Sequence, residues 1–341
     1  LEDVRGLCYK KDKIPLFTCG APVTKDLDNE LPGYYWEILP DLNFYRAHNM
    51  HCFQYFEDSK MIDFSDVRSP YVAMNTSLGC PYNCSYCCIN SIFGKSGIRY
   101  WSIEKVLSWF DDLVERGVKN IRIDDELFIL SPNRVERLCD ALIEREYNLN
   151  IWVYGRVDTI HNKLLNKLYR AGISWICLGI ESGNQNVASS VNKRIHKNVK
   201  EVDRSIQNHG IYVLGNYMFG LPEDNLDTMQ QTLDLAIELN CEFANFYTVM
   251  PLPGSALYKS SQTNSEKWQE YSQHSYETRP MPTKYLTPKE VLQFRDNAFY
   301  SYYKNENYLN SIEKKFGLKT RQHIEKMTSI PIRRKLFEEK E

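Results

Sequence analysis

The chain has 341 residues, which at about 100–200 residues per domain suggests two domains or one large α/β barrel with appended segments. Lys and Arg total 42 against 44 Asp and Glu, a net charge of −2, so bulk charge gives no sign of a nucleic-acid partner. A hydrophobic content of 43% is typical of a globular protein, and no apolar run approaches the ~18 residues of a membrane span. Residue 1 is Leu and no signal peptide follows, so we expect that the N-terminus has been cut.

In chain order, residues 1–68 show no sustained hydrophobic period and are predicted to form an irregular connector that packs on another part of the protein. Residues 69–258 alternate apolar strands with amphipathic helices. The predicted strands are Tyr71–Leu78, Lys119–Asp125, Asn150–Arg156, Ser174–Glu181, Ile211–Phe219 and Glu242–Met250. The predicted helices begin at Ser102 and at Ser131-Pro132, or span 161–170, 197–208 and Leu226–Leu239. Residues 259–341 are predicted as a helical C-terminal region, with helices near 287–305 and 307–340.

Six strand–helix alternations predict an α/β fold with a parallel sheet and right-handed crossovers. Eight units would close a full barrel, so six favour a partial (βα)6 barrel of the TIM type. Because ligands bind at the C-terminal ends of the strands in such folds, we expect the functional side chains at that edge.

Four of the ten cysteines fall within nine residues, directly after the first predicted strand. In a chain of this length, such clustering is typical of a metal or redox protein of a reducing compartment rather than of a disulfide scaffold. Cys80, Cys84 and Cys87 have the spacing C-x3-C-x2-C, so their thiolates can hold a cuboidal 4Fe–4S cluster and leave its fourth iron open. The alternative is a zinc site, which needs a fourth ligand. Cys88 is a poor fourth ligand because adjacent residues rarely bind one ion.

This cysteine motif, with Tyr86 before its last cysteine and a (βα)6 pattern around it, resembles the radical S-adenosylmethionine (SAM) superfamily from about residue 70 to 258. The resemblance implies that Cys80, Cys84 and Cys87 hold a 4Fe–4S cluster whose open iron is chelated by the amino and carboxylate groups of SAM. It also implies that the reduced cluster cleaves SAM to a 5′-deoxyadenosyl radical, which abstracts hydrogen from the substrate. Tyr86 would pack near the adenine.

Strand alternation places Arg122, Asp124 and Glu126 toward the barrel lumen. The family often has Gly-Gly-Glu at this point, and its Glu holds the methionine amino group. This chain has Asp124-Asp125-Glu126 instead, so the resemblance leaves open which carboxylate contacts the cofactor. A structural salt bridge with Arg122 is the alternative.

Further candidates for cofactor binding follow the later strands. Arg156 ends the third strand and can bind a carboxylate, or can pair with Asp158 or Glu181 instead. Glu181 and Ser182 belong to a Gly-Ile-Glu-Ser-Gly segment that resembles the family's contact to the ribose or the methionine end of SAM. By the same resemblance, the candidates near the ribose and the adenine are Asn216 and Met250. No residue is assigned a catalytic role.

Three features resemble the cobalamin-binding branch of the superfamily: Asp124-Asp125 in place of Gly-Gly, the segment 156–159 and the segment 251–255. The opening segment resembles the connector after an N-terminal cobalamin domain, so we expect cobalamin to be bound mainly by a domain absent from this chain. The branch implies methyl transfer to an unactivated centre. The alternatives are a non-methylating radical SAM enzyme, such as an epimerase, mutase, cyclase or oxidative rearrangement enzyme, and a non-catalytic iron–sulfur or zinc module.

The expected partners follow from the same resemblance. They are a small-molecule substrate of the natural-product or lipid type and an electron donor such as flavodoxin or ferredoxin. We expect no nucleic-acid partner, no membrane span and a cytoplasmic location.

Overall fold

The computed structural model of the protein describes residues 1–31, 33–57, 65–261 and 264–338. Its strands are β1 Cys8–Lys11, β2 Ile14–Phe17, β3 Tyr71–Met74, β4 Ser77–Cys80, β5 Gly97–Tyr100, β6 Asn120–Ile123, β7 Asn150–Arg156, β8 Ile173–Glu181, β9 Tyr212–Phe219 and β10 Phe243–Thr248. Its helices are α1 Leu27–Glu30, α2 Ser65–Arg68, α3 Ile89–Ile92, α4 Ile103–Glu115, α5 Pro132–Glu144, α6 Asn162–Arg170, α7 Gln185–Ser190, α8 Val199–Asn208, α9 Leu226–Leu239, α10 Ala256–Ser260, α11 Pro288–Tyr303, α12 Glu306–Phe316, α13 Leu318–Ser329 and α14 Lys335–Glu338.

Six of the strands form one sheet in the order β10-β9-β8-β7-β6-β3, and every neighbouring pair is parallel. Strands consecutive in this set are neighbours in the sheet, which is the strand order of a barrel built from successive βα units. The predicted α/β class with a partial (βα)6 barrel is confirmed. In this topology the C-terminal strand ends all lie at one edge.

The first predicted strand, Tyr71–Leu78, is two strands in the structure. β3 ends at Met74, and the chain then leaves the sheet because the backbone N–H groups of residues 76–77 donate to the buried carboxylate of Asp125. β4 pairs with β5 in an antiparallel hairpin, in which Cys80 lies opposite Gly97. The first predicted cluster ligand is therefore carried by this hairpin and not by the sheet.

The predicted barrel helices form, and α4 shows why, whereas the segment predicted as helical near 307–340 is divided into α12, α13 and α14. Ser102 caps its N-terminus by accepting a hydrogen bond from the Lys105 N–H at 3.1 Å. Val106, Phe110 and Leu113 share one face and are fully buried. Burying each such side chain contributes about 1.5–3 kcal/mol, so this stripe holds α4 against the sheet.

Helix α11 covers the edge strand β10. The Tyr303 hydroxyl accepts a hydrogen bond from the Ala244 N–H at 2.9 Å and donates to the Ala244 carbonyl at 2.6 Å. Arg295 Nε donates to the Phe246 carbonyl at 2.7 Å. An uncovered edge strand would invite pairing with another chain, so these side chains end the sheet at its sixth strand.

One hydrophobic core includes residues of all three predicted segments, among them Phe53 of the connector, Ile151 of the barrel and Phe316 of the C-terminal region. The division at 68 and 258 stays a prediction. Parts of the predicted connector and of the C-terminal region, among them residues 58–64 and 339–341, lie outside the described residues. None of the helices in the described ranges has the length and apolar run needed to cross a membrane.

Candidate cofactor site

A cavity of about 190 Å³ opens beside the C-terminal ends of β7 and β8 and is called here the cofactor cavity. Of the site residues expected from the sequence, those that line it are Cys80, Cys84, Tyr86, Cys87, Glu126, Arg156, Glu181 and Asn216. Those outside its lining are Asp124, Ser182 and Met250. The structure thus brings together side chains from the cysteine loop and from four neighbouring strands, β6 to β9, or their following turns.

The cysteine loop, residues 80–88, is tied to both sides of the barrel mouth. The Ser85 N–H donates to the Val191 carbonyl at 3.0 Å, and the Ser85 carbonyl accepts from the Leu257 N–H at 2.9 Å. Two backbone hydrogen bonds on one residue hold the middle of the loop between the segments after β8 and β10. The loop therefore presents its thiols at a defined place, which a cofactor site requires.

The three cysteine side chains suit a cuboidal iron–sulfur cluster because all of them line the same cavity and each can bind a different iron. In the ranges that the structure describes, no three Cys, His, Asp or Glu side chains converge on a single metal ion. Burial raises the pKa of Cys80, and it raises the pKa of Cys87 to about 11. Both thiols therefore hold their protons more tightly than a fully solvated thiol does, and they must release them when they bind iron.

The three consecutive carboxylates have three different environments. Asp124 forms an ion pair with Arg122. Asp125 is buried and accepts hydrogen bonds from the backbone and hydroxyls of residues 76–77. Glu126 lines the cofactor cavity, and within the described part of the chain its carboxylate has no ion pair or hydrogen bond. Burial, helped by the two neighbouring aspartates, raises the pKa of Glu126, and a bound ammonium would offset that cost.

Glu181 forms a buried ion pair with Lys193, whose Nζ lies 3.1 Å from Oε1. The β8–β9 register shifts between Gly179 and Glu181, and Glu181 has a φ of +68°, a region that residues other than glycine seldom adopt. A Cβ added at Gly179 would lie 2.8 Å from Glu181 Oε1 and 3.0 Å from Lys193 Nζ. Backbone strain of this kind is concentrated at functional sites, and here it turns Glu181 toward the cavity.

Arg156 forms an ion pair with Asp158, in which Nε lies 3.0 Å from Oδ2. This pair is the alternative to a cofactor contact that the sequence had left open. Its Nη1 is also 3.9 Å from Cys84 Sγ, and its Cζ lies 4.4 Å above the centre of the Tyr82 ring. The guanidinium is thus a fixed positive charge beside one predicted cluster ligand. Tyr86 is held in a mostly apolar setting, and burial raises its pKa well above the usual value.

The remaining candidates have local contacts. Asn216 Nδ2 lies 3.0 Å from Cys177 Sγ, and burial raises the pKa of Cys177 to about 12, as expected of an unreactive thiol. Ser182 Oγ accepts from the Asn184 N–H at 3.1 Å and so shapes the turn after β8. Met250 is buried outside the lining of the cofactor cavity. The cofactor contacts of these residues stay predictions.

The model of the radical SAM superfamily matches residues 74–236. These 163 of the 341 residues are similar to the radical SAM superfamily. The matched range runs from the end of β3 into α9 and contains the cysteine loop, Glu126 and the Glu181–Lys193 pair. The resemblance inferred from the cysteine spacing is confirmed.

The alignments with two named relatives cover most of the length of this chain. An uncharacterised methyltransferase of Pyrococcus horikoshii is 24% identical over 310 residues, which are 89% of this chain and 62% of that protein. The anaerobic magnesium-protoporphyrin IX monomethyl ester cyclase of Cereibacter sphaeroides is 24% identical over 310 residues, 88% of this chain and 46% of the relative. The chain therefore spans about half the length of these curated relatives.

A solved structure supports the fold. OxsB, described as a cobalamin-dependent SAM radical enzyme with aqua-cobalamin and SAM bound, superposes with a TM-score of 0.53. The identity is 20%, and the alignment covers 76% of this chain and 35% of OxsB. A likeness at this identity shows a shared fold.

Lys193 is a cavity residue of the radical SAM domain that sequence reasoning missed. It lies in the loop between α7 and α8, in a stretch where Lys193, Arg194, Lys197 and Lys200 are all basic. No hydrophobic period or motif in the sequence distinguishes Lys193 from these other basic residues. Only the folding of that loop onto the end of β8 brings its ammonium to Glu181.

We expect Lys193→Met to lower the free energy of unfolding by about 3 kcal/mol, because it leaves the buried Glu181 carboxylate without its cation. Adding Glu181→Gln should restore most of this loss, as coupled neighbours require. Lys200→Met is the matched control: its pair with Glu238 is half exposed, so its cost should stay below about 1 kcal/mol. Unfolding in guanidinium chloride gives the free energy of unfolding of the unaltered chain, the two single lysine variants and the double variant. Equal losses in Lys193→Met and Lys200→Met would contradict the prediction.

Proposed function

We propose that this chain is the radical SAM part of a cobalamin-dependent enzyme that transfers a methyl group to an unactivated centre. The observation that carries the proposal is the convergence of three cysteines, Glu126 and the Glu181–Lys193 pair on one cavity. The relative from Pyrococcus horikoshii is named a methyltransferase, and OxsB is described as cobalamin-dependent; both names support this branch. In the proposal, cobalamin is held mainly by a domain outside these residues.

In this proposal, different residues of the cofactor cavity bind the cluster and the charged groups of SAM. Cys80, Cys84 and Cys87 would hold the cluster; when bound, a 4Fe–4S cluster supplies the electron that cleaves SAM. Glu126 would accept the SAM ammonium, since its carboxylate lines the cofactor cavity and has no cation among the described residues. Lys193 would bind the SAM carboxylate while keeping Glu181, because an ammonium has three donors.

The proposed enzyme takes a small-molecule substrate of the natural-product or lipid type and an electron from a flavodoxin or ferredoxin, in the cytoplasm. Half-buried Tyr154 and buried Cys177 also line the cavity and give it apolar as well as polar walls. Such a mixed lining is common in small-molecule sites.

A non-methylating radical SAM reaction is the second candidate. It is favoured by the cyclase relative, whose alignment covers 88% of this chain at the same 24% identity as the methyltransferase alignment. In both candidates Cys80, Cys84, Cys87 and Glu126 have the same tasks, and the two differ in the need for cobalamin.

One pair of measurements tests the proposal. The chain is reconstituted with iron and sulfide under anaerobic conditions, reduced and mixed with SAM, and 5′-deoxyadenosine is quantified. We expect release of 5′-deoxyadenosine; a cluster-loaded, reduced chain that leaves SAM intact would favour the non-catalytic module instead. Hydroxocobalamin is then titrated into the natural polypeptide that contains this chain. Binding supports the methyl-transfer branch, whereas SAM cleavage without cobalamin binding supports the second candidate.

A further inference from the structure

A second cavity, of about 540 Å³, lies between the connector and the segment that follows the cysteine loop, and it is called here the basic cavity. Its apolar walls are formed by Pro22, Val23, Phe93 and Ile98. Its size falls within the roughly 300–1,000 Å³ of typical small-molecule sites. Among the described residues it shares no lining residue with the cofactor cavity, so it is a separate place in the fold.

All the charged side chains that line the basic cavity are cationic. Lys25, Lys95 and Arg99 line it, no carboxylate does, and none of the three has an ion pair within the described ranges. Glu30 lies nearby in sequence, but its carboxylate already accepts hydrogen bonds from the backbone N–H groups of Lys25 and Asp26, at 3.3 and 2.9 Å. Three cations on an apolar wall without a counter-charge favour an anionic ligand.

Arg99 is held in place with part of its guanidinium unused. Its Nη1 donates to the Thr24 carbonyl, and its Cζ lies 4.7 Å above the centre of the Phe93 ring. Its Nη2 is buried and has no hydrogen-bond partner in the part of the chain that the structure describes. A buried donor without an acceptor is unfavourable, and a guanidinium edge matches the geometry of a carboxylate or phosphate.

We propose that the basic cavity binds an amphiphilic anion: an apolar chain or ring that lies on Val23, Phe93 and Ile98 and carries one carboxylate or phosphate that accepts from Arg99. The acid would also be near the Lys25 and Lys95 side chains. Gly97, which lines this cavity, lies opposite Cys80 in the β4–β5 hairpin. The bound anion therefore lies one strand pair away from a predicted cluster ligand, outside the cofactor cavity.

The test uses displacement of the fluorescent probe 8-anilinonaphthalene-1-sulfonate from the purified chain. Decanoate and 1-naphthyl phosphate combine an apolar body with an anion, 1-decanol and 1-naphthol lack the charge, and inorganic phosphate lacks the apolar body. We expect the two amphiphilic anions to displace the probe at concentrations at least about tenfold lower than the other three. Decanoate acting alone would indicate a carboxylate ligand, and naphthyl phosphate acting alone a phosphate ligand. SAM should not displace the probe, and displacement by SAM would overturn the separation of the two cavities.

Two variants test whether the amphiphilic anions bind in the basic cavity. Arg99→Gln and Lys95→Gln should each raise the inhibition constants of the amphiphilic anions, corrected for each variant's own affinity for the probe, by about tenfold for Arg99, and leave the corrected constant of 1-decanol unchanged. Lys119→Gln removes an exposed lysine elsewhere and is the control. Lys95 is exposed, so its variant keeps the test valid should Arg99→Gln fold poorly. Unchanged displacement in Lys95→Gln and Arg99→Gln, or equal displacement by decanoate and decanol, would overturn the proposal. Neither result bears on SAM cleavage.

Discussion

Cys84→Ala is expected to abolish binding of the iron–sulfur cluster. Cys80, Cys84 and Cys87 line one cavity from one short loop, and each is expected to bind a different iron. Removing one thiolate leaves an iron without its protein ligand, so the iron content after anaerobic reconstitution should fall from about four per chain to below about one. Iron and acid-labile sulfide are measured on the desalted protein, and 5′-deoxyadenosine formation should disappear with them.

Cys88→Ala is the matched control for this loss. Cys88 belongs to the same loop and neighbours a predicted ligand in sequence, but it does not line the cofactor cavity. We expect its variant to keep its iron and its SAM cleavage. Full iron retention in Cys84→Ala would refute the ligand assignment, and iron loss in both variants would show that the loop's folding, rather than ligation, was being measured.

Local pattern was enough to predict the sheet, and it also singled out the three cysteines, whose role as cluster ligands stays a prediction. The apolar runs of β7, β8, β9 and β10 are buried on both faces of the sheet, so each stands out in the sequence as one unit. The C-x3-C-x2-C spacing lies on one loop and needs no distant partner to be recognised.

Long-range contacts decided what the sequence left open. The break between β3 and β4 depends on Asp125, about fifty residues further along the chain, whose carboxylate accepts from residues 76–77. The pairing of Asp124 with Arg122, two residues away, was an alternative that the sequence already offered, whereas the place of Lys193 depends on the folding of its loop over Glu181. No hydrophobic period in the sequence predicts the contacts of Asp125 and Lys193, because each contact joins segments that come together only in the folded barrel.

The second large effect is expected from Glu126→Gln, which keeps the side chain's shape and removes its charge. A charge-assisted hydrogen bond contributes about 1.5–3 kcal/mol, so the affinity for SAM should fall by at least about tenfold while the iron content stays unchanged. Equilibrium dialysis of SAM against the oxidised, cluster-loaded protein measures this without turnover. Asp124→Asn is the control, since Asp124 is paired with Arg122 and lies outside the cavity lining; its effect on SAM affinity should be less than about threefold.

The pH dependence of SAM binding separates a charge effect at Glu126 from a packing effect. Partial desolvation, together with the neighbouring Asp124 and Asp125, raises the pKa of Glu126, so this carboxylate takes up its proton at a higher pH than a fully solvated glutamate does. The protonated form cannot pair with an ammonium, and SAM affinity should therefore fall as the pH is lowered through that raised pKa. Glu126→Gln cannot titrate, so it should have low affinity and lack this component of the pH dependence. If Asp124→Asn lost the affinity and its pH dependence while Glu126→Gln kept both, Asp124 would be the ammonium ligand, and the Arg122 ion pair would have to open when SAM binds.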